Sequence, residues 1–86
     1  MICAVWETMA TIELTKLRKR KCWLFVAESW LKDYINAINK NDYKIMYVMY
    51  NYLVGYIWGL EASQEITSEN RKIIVEELLG LMTGKG

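Results

Sequence analysis

Leu17, Leu24, Leu31 and Ile38 recur at seven-residue intervals. Ala27, Tyr34 and Ile35 fall on the same side, which is the apolar stripe of an amphipathic helix. Trp23 and Trp30 repeat the interval beside it. The pattern predicts a first helix over 13–38, closed by the polar run from Asn36 to Asp42. There Asn41 or Asp42 is placed to accept a hydrogen bond from a free amide of the next helix.

A second helix is predicted over 42–62. At about 100° per residue, Met49, Leu60, Leu53, Met46 and Ile57 make a wholly apolar face. That face continues through Tyr50, Tyr43, Val54, Tyr47 and Trp58, on the side opposite Val48 and Tyr52. Only Lys44, Asn51 and Gly55, with Gly59 beside them, interrupt it. A helix apolar nearly all round must be covered nearly all round, by two or three neighbours or by a second subunit. Gly55 and Gly59 also have the small-xxx-small spacing that lets another helix approach closely, either within the chain or between copies.

A third helix is predicted over 68–82, with Thr67 or Ser68 as its cap and Glu69 in its first turn, where the helix dipole favours an anion. Ile74, Leu78, Leu81 and Met82 form its stripe, widened by Ile73, Val75 and Leu79, and Gly84 and Gly86 close it. The short connection from Ser63 to Ile66 makes the second and third helices an antiparallel hairpin. Residues 1–12 carry Val5, Trp6, Met9 and Ile12 at helical spacing and either extend the first helix or form a short one of their own. The expected fold is therefore all-α: one domain over 1–86, a small bundle of three main helices with or without a short N-terminal one, assembled as a helical homodimer.

Composition sharpens that expectation. Fifty-three per cent of the 86 residues are hydrophobic, and a lone chain of this size buries only about 60% of its unfolded surface. Apolar surface is left over, and a second copy is the simplest partner for it. From Ile45 to Leu60 there is no charge, but that stretch is shorter than the roughly twenty residues of a membrane span, so none is expected. Cys3 and Cys22 are too few for a disulfide framework, which points to a reducing compartment and a cytoplasmic location. Met1 to Trp6 lacks the basic start of a signal peptide, and Met9 offers an alternative start that would make residues 1–8 a leader.

The chemistry is narrow. There is no histidine, so the serines and cysteines have no usual base beside them and the commonest metal ligand is missing. No glycine-rich phosphate loop is present, and no enzyme activity, cofactor or metal site is expected. Glu61, Glu65, Glu69, Glu76 and Glu77 gather toward the C-terminal third and are read as solvated helix faces. Lys16, Arg18, Lys19, Arg20 and Lys21 would fan round the first helix, where they suit phosphate or another anion. A net charge of +1, however, is low for a dedicated nucleic-acid binder.

Four tryptophans and six tyrosines are many for this length. Both residue types offer large apolar area with a polar tip, as binding surfaces require. Tyr43, Tyr47, Tyr50, Val54, Gly55, Trp58 and Gly59 are the expected self-association or partner-binding residues. The function expected is a non-catalytic protein–protein interaction module, a small regulator or inhibitor of phage or mobile-element type. One alternative is a nucleic-acid-associated regulator using the basic run. A second is a sequestering protein for a small anionic ligand.

Overall fold

The computed structural model describes residues 11–84, and helices α1 (Ile12–Arg18), α2 (Phe25–Asn39), α3 (Tyr43–Ala62) and α4 (Ser68–Gly84) make up most of them. No strand occurs among the described residues. The readings that rest on Cys3, Val5, Trp6, Met9 and a leader over 1–8 lie outside them. The longest packing contact joins α2 to α3; α4 lies against α3 and touches α2, and the short α1 lies against α4.

The helix expected over 13–38 is two helices, so the three expected main helices become four. After Arg18 the chain leaves the helical ladder through tight turns, in which the Arg20 amide donates to the Leu17 carbonyl at 2.9 Å and that of Trp23 to Arg20 at 3.1 Å. One side chain from a later helix holds the break open. The Tyr56 hydroxyl of α3 donates to the Cys22 carbonyl at 2.6 Å and accepts from the Leu24 amide at 3.0 Å. Those backbone groups, which a continuous helix would pair with its own turns, are thereby satisfied elsewhere. The break also turns Trp23 into the core, its ring edge-on to Tyr56 at 5.6 Å. The seven-residue register does not survive it: Leu17, Leu31 and Ile38 are buried, whereas Leu24 is exposed.

The core lies between the four helices. Leu14 and Leu17 come from α1, Ala27, Leu31, Tyr34 and Ile38 from α2, Met46, Leu53, Ile57 and Leu60 from α3, and Ile74 and Leu78 from α4. Tyr34 is fully buried, and its hydroxyl donates to the Leu78 carbonyl at 2.5 Å, tying α2 to α4. Burial first, and the nearby Tyr50 second, push the Tyr34 phenol well above its ordinary pKa, so it stays a neutral donor.

The helix starts are locally encoded. The Asp42 carboxylate accepts from the Ile45 amide at 3.3 Å, and the Thr67 hydroxyl from the Asn70 amide at 3.0 Å. α2 and α3 both end in a Schellman turn. The Asp42 amide donates to the Ala37 carbonyl at 2.9 Å, and the Glu65 amide to Leu60 at 2.8 Å. Each turn places a residue other than glycine in the left-handed region, Asn41 at φ 56° and Gln64 at φ 65°. Asparagine tolerates that conformation; glutamine gains nothing there. Gln64→Gly should therefore stabilise the fold by about 0.5–1 kcal/mol, raising Tm by about 2–8 °C, with a smaller gain for Asn41→Gly. Thermal unfolding followed by circular dichroism checks this, and an unchanged or lower Tm for Gln64→Gly would contradict it.

Candidate functional site

Two surfaces carry the candidate residues: the outer side of α3 and the corner between α1 and α2. On α3, Met46, Leu53, Ile57 and Leu60 turn inward. At about 100° per residue, the opposite direction is centred on Asn51, Gly55 and Ala62, all exposed. Gly55 and Gly59 belong to this outer strip, and a Cβ built on either would meet nothing within 4 Å. Tyr47, 55% exposed, and Trp58 form one flank of the strip. The Arg71 guanidinium of α4 lies 3.8 Å from the centroid of the Trp58 ring and donates to Glu61 at 2.6 Å, so this flank is braced by α4. The other flank is Val48 and Tyr52, with Tyr52 resting against Trp30 of α2 at 5.2 Å between ring centroids.

The seven residues expected to act together on α3 are thus divided. Tyr43 and Tyr47 are exposed, Trp58 is half exposed under Arg71, and Gly55 and Gly59 floor the strip. Tyr50 and Val54 are half-buried, and Tyr50 packs against the core with its ring 6.2 Å from that of Tyr34. Val48 and Tyr52, on the side opposite those tyrosines in the sequence pattern, are exposed as well. The hydrophobic period alone gives the faces of α3 but not which of them its neighbours occupy.

The basic run does not fan round one helix, because the helix ends at Arg18. Arg18 makes a two-pronged bond to Glu28 of α2, Nε to Oε1 at 3.0 Å and Nη2 to Oε2 at 2.5 Å. The same Glu28 Oε1 accepts from the Trp23 indole at 2.8 Å. Lys16 pairs with Glu13 at 3.4 Å, and Arg20 lies 3.9 Å from Glu65. Lys19 and Lys21 are exposed and meet no carboxylate among the described residues. Behind this corner lies an open cleft of about 400 Å³, lined by Thr15, Arg18, Lys19, Trp23, Leu24, Phe25 and Glu28. Its inner cation is already neutralised by Glu28, which weakens it as an anion pocket.

The glutamates read as solvated faces divide in the same way. Glu61 and Glu65 are in ion pairs. Glu77 performs a task that no sequence signal announced. Its carboxylate accepts from the Glu13 amide at 3.1 Å and the Leu14 amide at 2.8 Å, capping α1 from α4. Thr11, at the cap position itself, makes no side-chain cap bond. Among the described residues no three histidine, cysteine or acidic side chains come together as a metal site would need, and no helix is long and apolar enough to cross a membrane.

No protein-family model matches the chain, and neither a curated protein nor a solved structure matches it.

The Arg18 guanidinium beside Glu28 holds its carboxyl below the ordinary glutamate value of 4.5, outweighing the opposing effect of burial. A depressed native pKa means that the stabilisation is fully present above about 4.5 and is lost as pH falls through the lower native value. Glu28→Gln should therefore be less stable than the parent chain at neutral pH, with the gap closing in acid below pH 4.5. Urea unfolding midpoints across that range test this; a gap that stays constant with pH would show that the ion pair is not its source.

Proposed function

We propose that the chain is a non-catalytic helical interaction module that binds protein, first of all a second copy of itself, through the outer strip of α3. The observation that carries this reading is the open floor at Gly55 and Gly59. Each glycine inside a helix costs about 1 kcal/mol relative to alanine. A close crossing within the chain would account for that cost, but no neighbouring helix among the described residues uses the space. A helix from outside can enter it, with its ridge on the glycines and its sides against Tyr47 and Trp58 on one flank and Val48 and Tyr52 on the other. Trp and Tyr are the residue types that anchor protein interfaces. The net charge of +1 gives two copies little long-range repulsion. Small regulators and inhibitors that act by occupying a partner's surface are the functional class this arrangement suits.

The alternatives draw less support. The run from Lys16 to Lys21 loses Arg18 to Glu28, and Lys16 and Arg20 are engaged by Glu13 and Glu65. A phosphate-tracking groove needs several free cations in line.

Light scattering on purified protein should give twice the 10.1 kDa chain mass. Gly55→Leu combined with Gly59→Leu should give the single-chain mass, because leucine fills the floor of the strip. The same double variant should unfold at a temperature no lower than the parent monomer, since leucine is the better helix former and its Cβ meets nothing. A parent chain that remains single at high concentration, or a leucine variant that still pairs, overturns the reading.

A further inference from the structure

At the α1–α2 corner, three consecutive apolar side chains point into solvent. Leu24 is 56%, Phe25 88% and Val26 44% exposed, and Phe25 is the only phenylalanine of the chain. The fold does not use Phe25. It occupies the first position of α2, where a proline or a small polar residue would serve the helix as well. At about 100° per residue, the ridge of α2 that it begins continues outward through Ser29, Lys32 and Asn36, all exposed. Immediately before the apolar trio come Lys19 and Lys21, exposed on the connector and held by no carboxylate among the described residues, with Arg20 between them turned to Glu65. Glu28, three positions after Phe25, faces inward to Arg18 and Trp23. An apolar tip that no described residue covers is therefore preceded by two unpaired lysines, of which Lys19 shares the cleft wall with Leu24 and Phe25.

We propose that this corner docks on an anionic lipid surface, with Leu24, Phe25 and Val26 entering the boundary between headgroups and acyl chains while Lys19 and Lys21 meet the lipid phosphates. Phe25, 88% exposed at the rim of the open cleft, protrudes with its apolar neighbours, and such a tip suits a deformable apolar medium, which needs no preformed complementary shape. Cations just behind the tip match the depth at which anionic headgroups lie. Single-stranded nucleic acid, the nearest competitor, would stack a base on Phe25 but would gain nothing from Leu24 and Val26. The contact is peripheral and reversible, and it is separate from the outer strip of α3.

Flotation with vesicles of phosphatidylcholine, with and without phosphatidylglycerol, tests the proposal on the intact chain. Binding is expected only to the phosphatidylglycerol vesicles, and it should weaken as salt is raised. Phe25→Ser should lower the partition by about ten- to a hundredfold, the loss expected for one buried phenylalanine. Lys19→Glu with Lys21→Glu should lower it by about tenfold or more. Both variants change exposed side chains only, so their circular dichroism and solution mass should match those of the parent. The proposal is overturned by absence of binding, by equal binding to neutral vesicles, or by binding that ignores Phe25→Ser. Phe25-dependent capture of a single-stranded oligonucleotide without vesicle binding would reassign the corner to nucleic acid.

Discussion

A helix of seven residues cannot hold itself together in water, because the cost of nucleating its first turn is not recovered over so short a ladder. α1 is such a helix, and each of the other three helices contributes one side chain to fix it or its connector. Glu77 of α4 receives the first amides of α1, Glu28 of α2 grips Arg18 at its last residue, and Tyr56 of α3 satisfies the backbone on both sides of Trp23. These bonds join the N-terminal part of the described chain to the rest. They also set where everything else can go: α1 must lie on α4, and Trp23 must turn inward. Leu24 to Val26 then form the outer corner. Two of the three anchors are carboxylates holding cationic or backbone donors, the stronger kind of hydrogen bond.

How much of this was legible in the sequence differs from element to element. α3 and α4 carry their own starts in Asp42 and Thr67, and their inward residues follow the helical period, so both could be read directly. The break at 19–24 could not. It contains neither proline nor glycine, and the apolar interval from Leu17 to Leu24 runs straight across it. What decides the break is a hydroxyl more than thirty positions away, and hydrophobic periodicity carries no information about such a contact. Glu77 escaped notice for the same reason, since a glutamate on a helix reads as solvated until the helix end it caps is known. On α3 the spacing of Gly55 and Gly59 was visible, but the direction they face depends on which sides α2 and α4 occupy.

The charged residues were more misleading than the apolar ones. A row of cations in sequence suggests a surface for an anion, yet position in the chain and position in space part company as soon as the helix ends. Arg18 becomes an internal strut, while Lys19 and Lys21, one position either side of Arg20, keep their charges in solvent. Composition near neutrality hides this division. What matters to a partner is not the sum over the run but which of its members already have a carboxylate.

Local rules and global fold agree along most of this chain, and the exceptions are informative. Gln64 in the left-handed region has a structural account: the Schellman turn needs that conformation, and the residue is simply not the best one for it. Gly55, Gly59 and Phe25 have no such account within the described residues, because no packed neighbour needs the missing Cβ atoms and none covers the phenyl ring. A helix-weakening residue facing solvent and a large apolar residue facing solvent are opposite departures, one leaving a hollow and the other a protrusion. A hollow floored by backbone between aromatic flanks favours a rigid rod of matching shape, whereas a protrusion beside cations favours a medium that yields. The two departures lie on different helices and differ in the partner chemistry they suit, so they are better understood as two surfaces than as halves of one.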